Sequence, residues 1–263
     1  MSLNENARHN HDLLFPSHVS TLAVTDPELI ETFDNFAFDE VLRHGSLDVR
    51  TRLMIQLAAI IASQALREFR VMGAAALNIG VTPVELKEIV YQAVPYVGMA
   101  KVFDFIHVTN DVLTERGIAL PLPGQSTTAP KNRLEKGMAV MREIIGSELV
   151  DKLHATTPAD QMHIQHYLAS NCFGDHYTRP SIDLPTRELL TFSMLVALGG
   201  CDPQVRGHVA ANLHIGNDRA LLIEVATQLL PFIGYPRTLN ALRAIDEVVP
   251  APTAAPSNSE RQP

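Results

Sequence analysis

Tryptophan is absent from this chain, cysteine occurs twice, and aromatic residues make up 6% of it. Two thiols in 263 residues cannot supply the disulfide framework of a small secreted domain or a four-cysteine zinc site, and they fit a reducing compartment. Long apolar runs are also missing. The longest strongly apolar stretch, Leu57 to Ala62, is far short of the ~20 residues that a membrane helix needs. The first residues, MSLNENARHNHD, have no basic flank and no apolar segment of the secretory kind, so a cytoplasmic protein is expected. Basic clusters are absent as well. A formal charge of -8 and a pI near 5.7 argue against a nucleic-acid partner and leave a small molecule as the expected one. With 14 glycines and 17 prolines, collagen-like and low-complexity classes are excluded.

What is present is 46% apolar residues, enough for a proper core, and an internal repeat. At a shift of 135 residues, Asp48, Thr51 and Arg52 fall on Asp183, Thr186 and Arg187. At a shift of 136, Arg70, Leu77, Gly80, Glu88, Gln92, Pro95 and Gly98 fall on Arg206, Leu213, Gly216, Glu224, Gln228, Pro231 and Gly234. The extra residue lies near Gly199-Gly200, where a loop absorbs it.

Apolar residues recur at three- and four-residue spacing in both copies, and no strand-like alternation lasts, which predicts an all-α protein of two tandem helical repeats. Residues 49–66 carry a broad apolar stripe that requires a partner helix. A second helix closes at Gly80, and Thr82-Pro83-Val84-Glu85 is a capping box opening a third that runs to about Pro95. The second copy repeats this order, with Asp202-Pro203 as cap and first residue, Gly216 as stop and Asn217-Asp218 as the next start. Amphipathic segments precede each copy (26–42 and 158–177) and follow it (99–115 and 235–248). The expected organisation is an N-terminal extension over 1–25, a first repeat over 26–119 and a Pro-rich linker over 120–130. A second repeat over 131–249 and a disordered tail over 250–263, without large apolar residues, complete it.

The second copy, from Phe173 to Leu242, resembles the carboxymuconolactone decarboxylase family, and the first, from about 36 to 115, is a degenerate version of the same unit. The resemblance implies small helical units that assemble as hexamers, so a tandem chain would close the same ring as a homotrimer. It also implies one of two chemistries: a cofactor-free decarboxylase acting on 4-carboxymuconolactone in aromatic catabolism, or a thiol peroxidase of the alkyl hydroperoxidase type. The peroxidase motif is Glu, Cys-x-x-Cys and a His four residues on, and the matching positions are Glu188, Cys201, Gln204 and His208. One cysteine of the pair is therefore missing, and a dithiol cycle needs both. The first copy has Leu53, Ala65, Glu68 and Met72 there, so it has lost the site.

His208 and Gln204 are one helical turn apart, and imidazole can deliver the proton that a decarboxylation needs. Glu188 occurs only in the copy that has the histidine, as a site component should. Cys201 has two open readings, a thiolate favoured by the helix start or a small buried apolar residue, while Cys172 reads as packing. Arg187, Gln204 and Arg179 are candidates for binding substrate, although Arg52, the repeat mate of Arg187, argues for a structural arginine paired with Asp183 or Asp48. Tyr177 and His176 are further candidates for a carboxylate anchor, and Glu224 and Gln228 read first as shared architecture. His163, His166, His214 and the N-terminal histidines form no metal-ligand spacing, so neither a metal nor a cofactor is expected. The favoured reading is a carboxy-lyase using His208, Glu188 and Cys201. A single-cysteine peroxidase and a catalytically silent binding protein are the alternatives.

Overall fold

The computed structural model describes residues 3–252 except Ser17 and Val19, so most of the tail predicted over 250–263 lies outside the described residues. The first repeat and its leader comprise α1 (Glu5–Leu14), α2 (Leu22–Thr25), α3 (Pro27–Asn35), α4 (Val49–Ala62), α5 (Leu66–Asn78), α6 (Pro83–Val97) and α7 (Met99–Glu115). The second comprises α8 (Arg133–Ile145), α9 (Ser147–Thr156), α10 (Met162–Tyr167), α11 (Leu184–Leu198), α12 (Asp202–His214), α13 (Arg219–Ile233) and α14 (Tyr235–Val248). Among the described residues there is no strand, and no helix is long and apolar enough to cross a membrane. The all-α tandem architecture is therefore as the sequence predicted.

Local chemistry sets the helix starts. Asp48 accepts from the N–H groups of Arg50 and Thr51 at 3.0 Å each, and Asp183 accepts from Thr186 at 2.8 Å, so the repeated aspartate is an N-cap in both copies. In the second copy it is not the partner of the arginine four residues on, since Arg187 pairs with Glu88. Thr82 and Glu85 close the predicted capping box. At α12 the cap is Cys201 rather than Asp202, and it makes no side-chain capping bond. Helix α6 continues past Pro95 to Val97, because a proline near a helix end forfeits a single hydrogen bond and Gly98, at φ +91°, provides the stop.

In both copies the amphipathic segment before the central helix, 26–42 and 158–177, contains a π-helix, Phe36–Glu40 and Leu168–Tyr177. Wide turns of this kind often sit at functional sites because they displace a side chain from the regular register. The second one delivers Tyr177 into the protein interior.

Helices α4 and α11 are buried on nearly every side, pack against each other and form the centre of the molecule. The exchange around them is reciprocal: α6 of the first repeat packs on α11 and α13 of the second packs on α4. One hydrophobic cluster accordingly spans both repeats, from Ala7 and Leu14 of α1 to Ile245 of α14. The linker joins two sequence repeats that share a core. The N-terminal extension belongs to that core too, through α1. A smaller cluster, with Met141, Ile144, Val150 and Phe173 meeting Ala211, attaches α8 and α9 to α12.

Candidate functional site

Glu188, in the first turns of α11, is fully buried, and α12 brings His208 beside it so that His208 Nδ1 lies 2.8 Å from Glu188 Oε2. The imidazole keeps 18% of its side-chain surface exposed. With Nδ1 held by the carboxylate, Nε2 is the ring nitrogen free to meet a ligand. Asn212 reinforces the crossing of the two helices by donating to the backbone carbonyls of Glu188, at 3.2 Å, and His208, at 2.7 Å.

The other carboxylate oxygen accepts from Tyr177 Oη at 2.8 Å. Proton counting orders what lies behind it. Tyr177 has one hydroxyl proton, committed to Glu188, so its oxygen accepts from Tyr96 at 2.8 Å and from Thr191 at 2.5 Å. The Cys172 thiol donates in turn to Tyr96 Oη at 3.6 Å. Every donor in this chain points toward Glu188. Burial holds both phenols well above the ordinary tyrosine range, and it pushes the Cys172 thiol up to about 12, so all three keep their protons. Tyr96 also stands edge-on to His208, with ring centroids 5.8 Å apart.

Tyr96 belongs to α6 of the first repeat, so the copy that lacks the Glu-His pair still contributes to the site. Neither Tyr96 nor the network role of Tyr177 was read from the sequence, yet a signal was there. Under the repeat shifts, Glu188, His208, Tyr177 and Tyr96 correspond to Leu53, Met72, Leu42 and Phe232. All four polar groups are apolar together at the equivalent place.

The predicted substrate-binding arginines are otherwise engaged. Arg187 is fully buried: its Nη2 meets Glu88 Oε2 at 3.1 Å, its Nη1 donates to Gln92 Oε1 at 2.8 Å, and Nε donates to the Ile182 carbonyl at 3.1 Å. Arg179 forks onto the same Glu88 carboxylate, with Nε at 2.8 Å and Nη2 at 2.6 Å. Two guanidiniums thus share one buried carboxylate, and Arg187 pairs with Glu88 of the first repeat in place of the expected Asp183. The repeat mates of Glu88 and Gln92 make different contacts: Glu224 accepts from the Leu47 N–H, and Gln228 donates to the Val41 carbonyl at 2.9 Å. Both bear out an architectural assignment.

Gln204 is exposed on the first turns of α12, one turn before His208. Cys201 is part-buried, and its thiol donates to the Leu195 carbonyl at 3.3 Å. Burial and the nearby Asp202 raise that thiol despite the helix start, which favours the packed reading of Cys201 over the thiolate one. Among the described residues no three His, Cys, Asp or Glu side chains gather as a metal site.

The sequence model of the carboxymuconolactone decarboxylase family matches this chain twice, over residues 27–111 and 163–247. The chain is also 25% identical over 118 residues to a 4-carboxymuconolactone decarboxylase of Acinetobacter baylyi, a match covering 45% of this chain and 87% of that protein. The first matched segment takes in α3 to α6 and most of α7, the second takes in most of α10 and the helices α11 to α14, and the chain belongs to the carboxymuconolactone decarboxylase family.

Proposed function

We propose that the protein is a cofactor-free carboxy-lyase acting on a small carboxylated lactone or related ring, in the manner that the name of its Acinetobacter relative describes. The observation that carries this reading is the buried Glu188 carboxylate clamping His208 Nδ1 and leaving Nε2 outward. In a γ-carboxylated lactone, cleavage of the bond to the carboxylate releases carbon dioxide and sends its electron pair through the ring double bond to the lactone carbonyl. The resulting dienolate takes one proton at the α carbon. His208 supplies that proton from Nε2 and is recharged from solvent, while Glu188 stabilises the imidazolium and fixes the ring. Tyr177 and Tyr96 hold the carboxylate in place and do not enter the proton balance.

The state of the thiols supports this chemistry over the peroxidase alternative, because a peroxide-reducing cysteine works as a thiolate and both thiols here are pushed the other way. A homotrimer is part of the same proposal. Its support is that Met99 and Phe103 on α7, and the equivalent Tyr235 and Leu239 on α14, are all exposed, so both repeats present an apolar pair at the same place. Sedimentation equilibrium at the mass of three chains is the expected result.

The test is carbon dioxide release from 4-carboxymuconolactone by wild type, His208→Gln, Glu188→Gln and Cys201→Ser, beside thiol-dependent peroxide consumption. Release that collapses in the first two variants and persists in Cys201→Ser supports the lyase. Peroxide consumption abolished by Cys201→Ser overturns it.

A further inference from the structure

The stretch over 120–130 does more than connect the repeats. Thr127 Oγ1 donates to the Thr178 carbonyl at 3.2 Å, and Thr128 Oγ1 donates to Asp175 Oδ1 at 3.2 Å, so the linker is fastened across the end of the second π-helix. Beneath it are two adjoining cavities of about 340 and 160 Å³ that share Tyr91 and Arg179 as walls. The larger lies within the size range of about 300–1,000 Å³ typical of small-molecule sites. Its remaining walls include Ser126, Thr128, Pro130, Arg133 and His176, and neither His208 nor Glu188 is among them.

The polar groups facing this cavity are donors with capacity to spare. Arg179 spends Nε and Nη2 on Glu88, and Arg133 spends Nη2 on Asp175 at 2.5 Å and Nε on the Ser170 carbonyl at 3.3 Å. That leaves Nη1 of each without a partner among the described residues. The Tyr91 hydroxyl and the His176 ring are in the same condition. The acceptors, by contrast, are occupied. Asp175 takes Thr128, Arg133 and Asn171, and Glu88 takes Arg179 and Arg187. Counting Arg187, buried behind Glu88, three guanidiniums are grouped with two carboxylates here, giving a local positive excess in a chain of net charge -8. The Tyr91 ring, with the Arg179 guanidinium 5.5 Å from its centroid, and the Pro130 and Ala129 side chains give the cavity an apolar side.

We propose that this strap-covered cavity is a second ligand site, taking a small organic carboxylate whose charged end meets Arg133, Arg179 and His176 and whose apolar body lies against Tyr91 and Pro130. The site is separate from the Glu188–His208 pair and does not depend on the reaction assigned to it.

The experiment titrates the full chain with benzoate, its neutral analogue benzamide and inorganic phosphate, and follows histidine ring resonances by two-dimensional NMR. The His176 signal is identified by its loss in His176→Gln. Benzoate is expected to shift that signal saturably while the His208 signal stays in place, with benzamide and phosphate at least tenfold weaker. Arg133→Gln is expected to weaken benzoate at least tenfold. Because that variant also removes the Asp175 ion pair, Ala129→Leu, which narrows the cavity without touching a charge, is the second variant and is expected to weaken benzoate comparably. A non-saturating response, equal binding of benzamide, phosphate binding as tight as benzoate, or a shift of His208 without His176 each overturns the proposal.

Discussion

The hydroxyl oxygens of Tyr96 and Tyr177 lie 2.8 Å apart, joining the first repeat to the second one bond away from Glu188. Their equivalents, Phe232 and Leu42, cannot make such a bond. A tandem chain has thus concentrated one polar network at a single place and lined the equivalent place with apolar side chains.

Tyr177→Phe removes the donor to Glu188 while keeping the ring. Loss of positioning is expected to lower kcat by about 10- to 100-fold with KM nearly unchanged, equivalent to about 1.4–2.8 kcal/mol. Tyr96→Phe, one bond further out, is expected to cost less. Steady-state kinetics on 4-carboxymuconolactone read both, and a rise confined to KM would contradict the positioning role.

The single Glu88 carboxylate is shared by two guanidiniums, one of them fully buried. Removing the shared carboxylate strands those charges, and Glu88→Gln is expected to cost about 3–5 kcal/mol of unfolding free energy. Glu224→Gln keeps an oxygen that can accept from the Leu47 N–H, loses only the charge assistance, and is expected to cost about 1 kcal/mol. Urea titration of both variants makes the comparison, and equal losses would refute the asymmetry.

Burial raises the Cys201 thiol above its ordinary value of 9.0, so less thiolate is present at any given pH than in a free cysteine. Iodoacetamide is expected to modify it more slowly than free cysteine at pH 8, with the rate still climbing above pH 9. Cys172, buried and near 12, is expected to stay unmodified until the chain unfolds. Mass spectrometry of peptides after timed alkylation decides both points.

The Asp39 carboxylate accepts from Asn4 at 2.8 Å and from Arg43, tying α1 to the first π-helix. The hydrogen bond from Arg43 is the main cause of its lowered pKa. A depressed folded-state value means that this group adds stability above about pH 4, which is lost as pH falls further toward the folded-state value. Hydrogen exchange is expected to show α1 losing protection below that pH while α11 remains protected. In Asp39→Asn, α1 should be weakened at neutral pH and this acid step should disappear.

Much of the framework was legible in the sequence because it depends on near neighbours. The Thr82–Glu85 box and the glycine stops each act within a few residues of chain, and helical periodicity exposes the apolar faces. The repeat itself marked Glu188 and His208 as belonging together, since both vanish from the first copy. The same comparison contained Tyr96 and Phe232, but nothing local tied a tyrosine in α6 to a glutamate in α11.

Which groups meet across the molecule was decided by tertiary structure. Arg187 finds Glu88 across 99 residues of chain, and Arg179 finds it across 91, because α6 crosses to the other repeat. That crossing ties both arginines expected to bind substrate to Glu88. Burial raised the Cys201 thiol, whose two readings the sequence had left open, and set it donating to the Leu195 carbonyl. The sequence by itself determined the helices and the repeat, since these follow from short-range hydrogen bonding and periodicity, and the comparison of the two copies marked Glu188 and His208 together. Only the fold decided which charges neutralise one another and which side chains remain free for a ligand, because burial and long-range pairing exist only once both repeats share a core.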